Sequence, residues 1–163
     1  MRLRTALIAL LLMLASAHVA ACSLAPNLGD EHDLPPVYQA SSMVFVARLT
    51  EYAEFVPFGS QHYMGRMKYA LVEAIKGRPA SQGLLFEPTG KPAVEDIPPG
   101  PACGPWLVQE HNVGADYLVF ADRDQASGRL IPHPRSVRLD PATGESAKLV
   151  AFIRTLRRSH LKP

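Results

Sequence analysis

Apolar residues fall along this chain in short blocks whose period changes from block to block. The first, Ala6 to Ala17, is an almost unbroken run of Leu, Ala, Ile and Met behind the basic head Met1-Arg2-Leu3-Arg4. It is too short for a stable bilayer-spanning helix. It has the order of a secretory signal peptide, with small residues following at Val19-Ala20-Ala21. Met43 to Thr50 is rich in β-branched and aromatic residues, contiguous at its start and alternating towards its end, which predicts a strand. Met64 to Lys76 predicts a longer strand with Tyr69, Leu71 and Ile75 on one face, stopped by Lys76-Gly77-Arg78-Pro79. Leu84 to Glu87 predicts a third, ended by Pro88-Thr89-Gly90. Asp116 to Ala121 has the pattern of a buried strand, and Asp122 to Gly128 that of a hairpin loop leading to Arg129-Leu130-Ile131. The period then changes. Leu149, Phe152, Ile153 and Leu156 recur at helical spacing and predict one amphipathic helix over about 144–160.

Short antiparallel strands followed by one helix predict a mainly β fold, a small barrel with a C-terminal α-helix. Between the strands, Asn27 to Pro36 reads as an extended acidic arm and Val37 to Ala40 as one helical turn. Glu51 to His62 reads as a loop with Phe55-Val56-Pro57-Phe58-Gly59 at its tip. Both phenylalanines are expected to fold back onto the barrel. Pro98 to Trp106 is a rigid, irregular stretch around Cys103, with Trp106 expected to pack against the barrel end.

Composition narrows the function. Cleavage after Ala21 would remove residues 1–21 from the 163 and leave 142, enough for one domain, 22–163, with a real core. The leader takes Arg2 and Arg4 with it and no acids, so 17 basic residues become 15 against 15 acidic ones. A neutral domain argues against nucleic acid as partner. No second apolar stretch has the length to cross a membrane. The chain is therefore expected to be exported, periplasmic or secreted.

The chemistry-bearing residues do not assemble into a known catalytic pattern. No H-E-x-x-H, G-x-S-x-G, phosphate-binding glycine loop or C-x-x-C occurs. Glu31-His32-Asp33 lies in the extended arm, where neighbours point different ways, and reads as solvated surface. Glu110-His111 precedes a turn and has no third partner. Asp122-Arg123-Asp124 opens like a calcium loop, but its Gly and closing Glu are misplaced. Arg154, Arg157, Arg158, His160 and Lys162 form a basic helix end that suits the helix dipole. No catalytic residue, metal site or cofactor is expected, and the chain is not read as an enzyme. Cys22 keeps two readings. Val19-Ala20-Ala21-Cys22 suits ordinary signal peptidase, and it also fits a lipobox, whose Cys would be acylated to anchor an outer-membrane lipoprotein. Only in that second case would the protein contact a membrane.

The order of segments resembles a known family. Cys22-Ser23 is followed by Met43-Val44-Phe45-Val46-Ala47-Arg48-Leu49, by Tyr69 to Ile75 with Lys76-Gly77, by Ala102-Cys103-Gly104, and by Val113-Gly114-Ala115-Asp116-Tyr117-Leu118-Val119-Phe120-Ala121. Over residues 22–131 this is similar to the netrin-like module of the tissue inhibitors of metalloproteinases and their small bacterial relatives. The resemblance implies an OB-fold barrel with Cys22 bonded to Cys103, and these two are the whole cysteine inventory of a chain expected outside the cytoplasm. Leu24 stands where the animal inhibitors carry a second cysteine. The leading expectation is a non-catalytic binding module with an extracytoplasmic partner, whether protein, glycan or envelope. The alternative is a metalloprotease inhibitor in which the new N-terminus, Cys22-Ser23, engages the zinc of a protease.

Overall fold

The strand blocks close on one another through pairings that are distant in sequence. The computed structural model describes residues 34–95 and 107–159. They form α1 (Leu34–Ala40), β1 (Met43–Phe55), β2 (His62–Lys76), β3 (Gln82–Pro92), a 3-10 turn (Glu110–Asn112), β4 (Asp116–Arg123), β5 (Leu130–Pro132), β6 (Val137–Leu139) and α2 (Gly144–Ser159). β1 lies antiparallel between β2 and β4, β2 pairs with β3, β3 meets β5 in parallel at Leu85 and Leu130, and β5 returns antiparallel to β4. The circuit β1-β2-β3-β5-β4-β1 is a closed five-stranded, OB-like barrel. β6 adds to the Asp116–Leu118 half of β4, on the edge whose Ala121–Arg123 half takes β5. The mainly β barrel with a C-terminal helix is thus present. Among the described residues no helix is long and apolar enough to cross a membrane.

β1 and β4 are buried on both faces where they cross, because two cores meet on them. Inside the barrel, Phe45, Ala47 and Leu49 pack with Met67, Tyr69, Leu85, Tyr117, Val119 and Leu130. On the other side of the same strands, Val44, Val46, Leu118 and Phe120 meet Leu34 and Tyr38 of α1 and Val150 and Ile153 of α2. This second core explains why the Met43–Thr50 block begins as a continuous apolar run. In α1 the helix starts earlier than the sequence predicts, since Pro35 and Pro36 occupy its first turn, where no intrahelical donor is needed.

Three sequence expectations are corrected. Tyr69, Leu71 and Ile75 do not share a face: the first two belong to the barrel interior, and Ile75 to the outer core. Register shifts leave Val72 and Ile75 without partners on β1, and such bulges break the two-residue alternation. Glu51 to Phe55 is strand rather than loop, paired to Lys68 through Met64 of β2. β3 also runs past Pro88 to Pro92. The proline has no ladder donor, but Thr89 Oγ1 donates to the Tyr63 carbonyl at 3.0 Å and Gly90 takes φ +71°, so the strand bulges and continues.

Candidate functional site

Where β2 and β3 first pair, their side chains alternate between barrel interior and surface. Met67, Tyr69, Leu85 and Glu87 point inward and are buried. Arg66 faces outward opposite Phe86, and Lys68 outward opposite Leu84, with Ala53 and Phe55 of β1 on the same face through their pairing with Arg66 and Met64. Two clefts indent this outer face. One of about 390 Å³ is lined by Glu51, Ala53, Arg66, Lys68, Gln82 and Leu84. The other, about 430 Å³, is lined by Leu84, Phe86, Arg123, Ser127 and Arg129 and reaches down to Tyr69 and Leu130 of the barrel core. The two clefts adjoin at Gly83 and Leu84 and together are termed the groove.

The larger of these two clefts is lined by an arginine on an aromatic support. The Arg129 guanidinium carbon lies 5.5 Å from the ring centroids of both Phe55 and Phe86, and these rings meet edge to face at 6.1 Å. Each cation–ring contact contributes about 0.5–1 kcal/mol at an exposed position. Arg129 also places Nη1 3.4 Å from the Met64 sulfur. The preceding loop holds itself together. Arg123 donates to the Gly128 carbonyl at 2.6 Å, and Asp124 accepts from the amide and hydroxyl of Ser127. Those hydrogen bonds keep the Asp124 carboxyl below its ordinary range, with Arg129 adding a smaller pull. Among the described residues the linings of the two clefts carry four basic side chains, Arg66, Lys68, Arg123 and Arg129, and one carboxylate, Glu51, which lies 3.8 Å from Lys68, while Asp124 on the adjoining loop is within electrostatic reach of Arg129. Among the described residues no carboxylate reaches salt-bridge distance of Arg66, Arg123 or Arg129.

The β1–β2 loop that borders this face departs from expectation in one of its two rings. Phe55 does fold back, against Phe86. Phe58 does not: it is fully exposed, at 109 % of its reference area.

Other concentrations of chemistry have structural roles. The Glu87 carboxylate, 4 % exposed, accepts from the amide of Val108 at 2.8 Å. Asn112 donates to the Leu107 carbonyl at 3.0 Å and accepts from the Tyr117 hydroxyl at 2.8 Å. This network seats Leu107–Val108 in the barrel core. A cleft of about 610 Å³ lies against Tyr38, Ile75, Lys76 and Arg157. The Lys76 ammonium there is committed to the end of α1, donating to the carbonyls of Tyr38 and Gln39 at 2.7 and 2.9 Å.

The residues singled out by sequence are dispersed. Cys22, Ser23, Cys103, Glu31-His32-Asp33 and Trp106 lie outside the described residues, as do His160 and Lys162. Glu110 and His111 are exposed on the 3-10 turn. Asp122 accepts from the Ser42 amide at 2.7 Å and Asp124 serves its own loop, so the run Asp122-Arg123-Asp124 is hairpin structure. Arg154 makes a two-point pair with Glu73 at 2.8 and 2.6 Å, tying α2 to β2. Among the described residues no three His, Cys, Asp or Glu side chains converge as metal ligands. The groove residues Arg66, Phe86 and Arg129 were not singled out by sequence. Their local signal was only the polar–apolar alternation of Met64 to Lys68, together with the expectation of a barrel. A comparison with protein-family models finds no matching family, and one with curated proteins finds no relative.

Proposed function

We propose that this chain is an exported, non-catalytic binding module that takes an anionic ligand on the outer β2–β3 face of its barrel. The observation that carries the reading is Arg129 stacked on Phe55 and Phe86 beside Arg66, Lys68 and Arg123. A guanidinium supported by rings keeps its charge and its forked donors available for a carboxylate, sulfate or phosphate. Barrels of this topology present the same face, bordered by the β1–β2 and β4–β5 loops, to chain-like ligands. Export through cleavage after Ala21, a Cys22–Cys103 disulfide and kinship with the netrin-like modules belong to the same proposal. The OB-like strand order agrees with that kinship.

The test is titration of the mature protein with 2-naphthalenesulfonate, a planar anion, followed by backbone amide NMR. Shifts concentrated in Met64–Lys68, Leu84–Phe86 and Ser127–Leu130 are expected, weakened by Arg129→Gln. Shifts spread over α2, or unchanged by that substitution, would count against the face.

A further inference from the structure

We infer that the cleft of about 430 Å³ is a pocket in its own right at one end of the barrel, and that it takes a small aromatic carboxylate end-on. The carboxylate meets the Tyr69 hydroxyl at the floor with Arg123 beside it, and the ring lies against apolar walls. The pocket borders the outer face through Arg123 and Arg129, but it does not require a ligand on that face.

Its position follows from the strand order. Met43 begins β1, Ala80 lies in the β2–β3 loop, Arg123 ends β4, Gly128 lies in the β4–β5 loop and Leu130 begins β5. All of these gather at one end of the barrel, and the β1–β2 loop lies at the other end of its strands. β3 and β5 are joined by the single pair Leu85 and Leu130, and beside that short seam the cleft reaches Tyr69 in the interior core. Barrel mouths are common places for small-molecule sites, and the volume falls within their range.

The floor is a buried donor with no partner. Tyr69 is 2 % exposed, yet its hydroxyl makes no hydrogen bond among the described residues and is not sealed from solvent. The other polar groups of the interior are satisfied: Glu87 accepts from Val108, and Tyr117 donates to Asn112. Tyr69 is the exception, and a cleft opens on it. Its ring is fixed by Phe45, at 5.1 Å between centroids, and by the Gly83 backbone, where a Cβ would come within 2.7 Å of the hydroxyl oxygen. Burial raises the phenol above its ordinary value while Arg123 pulls the other way, so the hydroxyl keeps its proton at neutral pH and donates.

The lining selects the ligand. Among the described residues it carries two guanidinium groups and no carboxylate. Arg123 commits one nitrogen to the Gly128 carbonyl and keeps its other donors for a ligand. One phenol and one guanidinium fork match the two oxygens of a carboxylate. A phosphate dianion would bring more charge and more acceptors than this floor satisfies. Met43, Gly83, Leu84, Phe86 and Leu130 make the rest apolar. A flat ring covers such walls with few rotors to immobilise, and it suits the Met43 sulfur and the Phe86 ring.

The experiment is calorimetry of the mature protein with 2-naphthoate, 2-naphthamide and inorganic phosphate. Naphthoate is expected to bind one to one, with the amide and phosphate each weaker by about tenfold or more. Tyr69→Phe is expected to weaken naphthoate about tenfold without lowering the melting temperature, since the hydroxyl has no partner to lose. Ala80→Trp, at an exposed rim position, is expected to block entry and abolish binding. Far-UV circular dichroism checks each fold, and if Tyr69→Phe unfolds, Ala80→Trp decides. Absence of naphthoate binding overturns the inference. So does full affinity in either folded variant, or binding of the amide or phosphate as tight as that of naphthoate. Naphthalenesulfonate separates the pocket from the outer face, because its shifts at Met64–Lys68 are expected to persist in Tyr69→Phe. Naphthoate bound through Tyr69, with those amides unmoved by the sulfonate, would keep the pocket and remove the face; sulfonate shifts there without naphthoate binding would do the reverse.

Discussion

The Glu87 carboxylate and the Val108 amide meet at 2.8 Å inside the barrel, joining β3 to the stretch that leads into β4. Gly65 lies opposite Glu87 on β2, and a Cβ there would come within 2.9 Å of Val108 Cγ1, so the seat has room for this one contact and no more. Burial pushes the Glu87 carboxyl up to about 7, and the amides of Val108 and Leu107 pull against it. The folded value exceeds the unfolded one, so the contribution to stability is full below about pH 4.5 and is lost as pH rises through about 7. Glu87→Gln keeps an acceptor for Val108 and removes the titration. Denaturant unfolding of both proteins across that range is expected to show the wild type losing ground to the variant by roughly 3 kcal/mol. Parallel curves would mean that Glu87 titrates normally.

α2 is held by its apolar stripe more than by its ion pair. Glu73→Gln breaks the two-point contact with Arg154, which is half-exposed, and is expected to cost under about 1 kcal/mol. Ile153, fully buried between α2 and the barrel wall, is expected to cost about 2–5 kcal/mol on truncation to Ala. Urea midpoints would rank the two, and the reverse order would make the helix an electrostatic attachment.

Two glycines separate backbone strain from crowding. Gly77 and Gly128 have φ of +76° and +69°. A Cβ at Gly77 would meet the Ser42 carbonyl oxygen at 2.6 Å, whereas one at Gly128 meets nothing within 4 Å. Gly128→Ala is therefore expected to cost about 1–2 kcal/mol, the left-handed penalty alone. Gly77→Ala adds a backbone clash and is expected to cost about 3 kcal/mol or more. Equal melting temperatures for the two would refute the crowding at Gly77.

The two rings of the β1–β2 loop are expected to part company on mutation. Phe58→Ser should leave the melting temperature unchanged, because the ring contacts solvent only. Phe55→Ser removes the edge contact to Phe86 and half the support of Arg129, and is expected to cost about 1–3 kcal/mol. A loss of stability on replacing Phe58 would show that its ring is covered in solution.

The N-terminus is tested by the intact mass of the natively exported protein. The proposal expects residues 22–163 less the two hydrogens of a Cys22–Cys103 bond. Closure of so long a loop would stabilise the fold by roughly 4–5 kcal/mol in the chain-entropy account, which reduction should remove. A mass raised by a diacylglyceryl group and an acyl chain would make the protein a lipoprotein anchored at Cys22.

Local periodicity alone determined a good part of this protein. The strand blocks at Met43–Thr50 and Asp116–Ala121, the stop at Gly77 and the stripe Leu149-Phe152-Ile153-Leu156 are each set by a few consecutive residues, and each is found where the pattern puts it. What depends on pairing was not legible. The face of Ile75 is reversed by the bulge at Val72, which exists only in register with β1. Glu51 to Phe55 become strand because Lys68 to Met64 lie alongside them, and β6 forms because half an edge of β4 is left open by β5. The groove is the extreme case. Arg129 reaches Phe86 because β3 and β5 meet in parallel at Leu85 and Leu130 when the barrel closes, and Phe55 joins them from the far end of β1. A sequence pattern records which way a side chain faces along its own strand; which strand lies beside it is decided by the closure of the whole sheet.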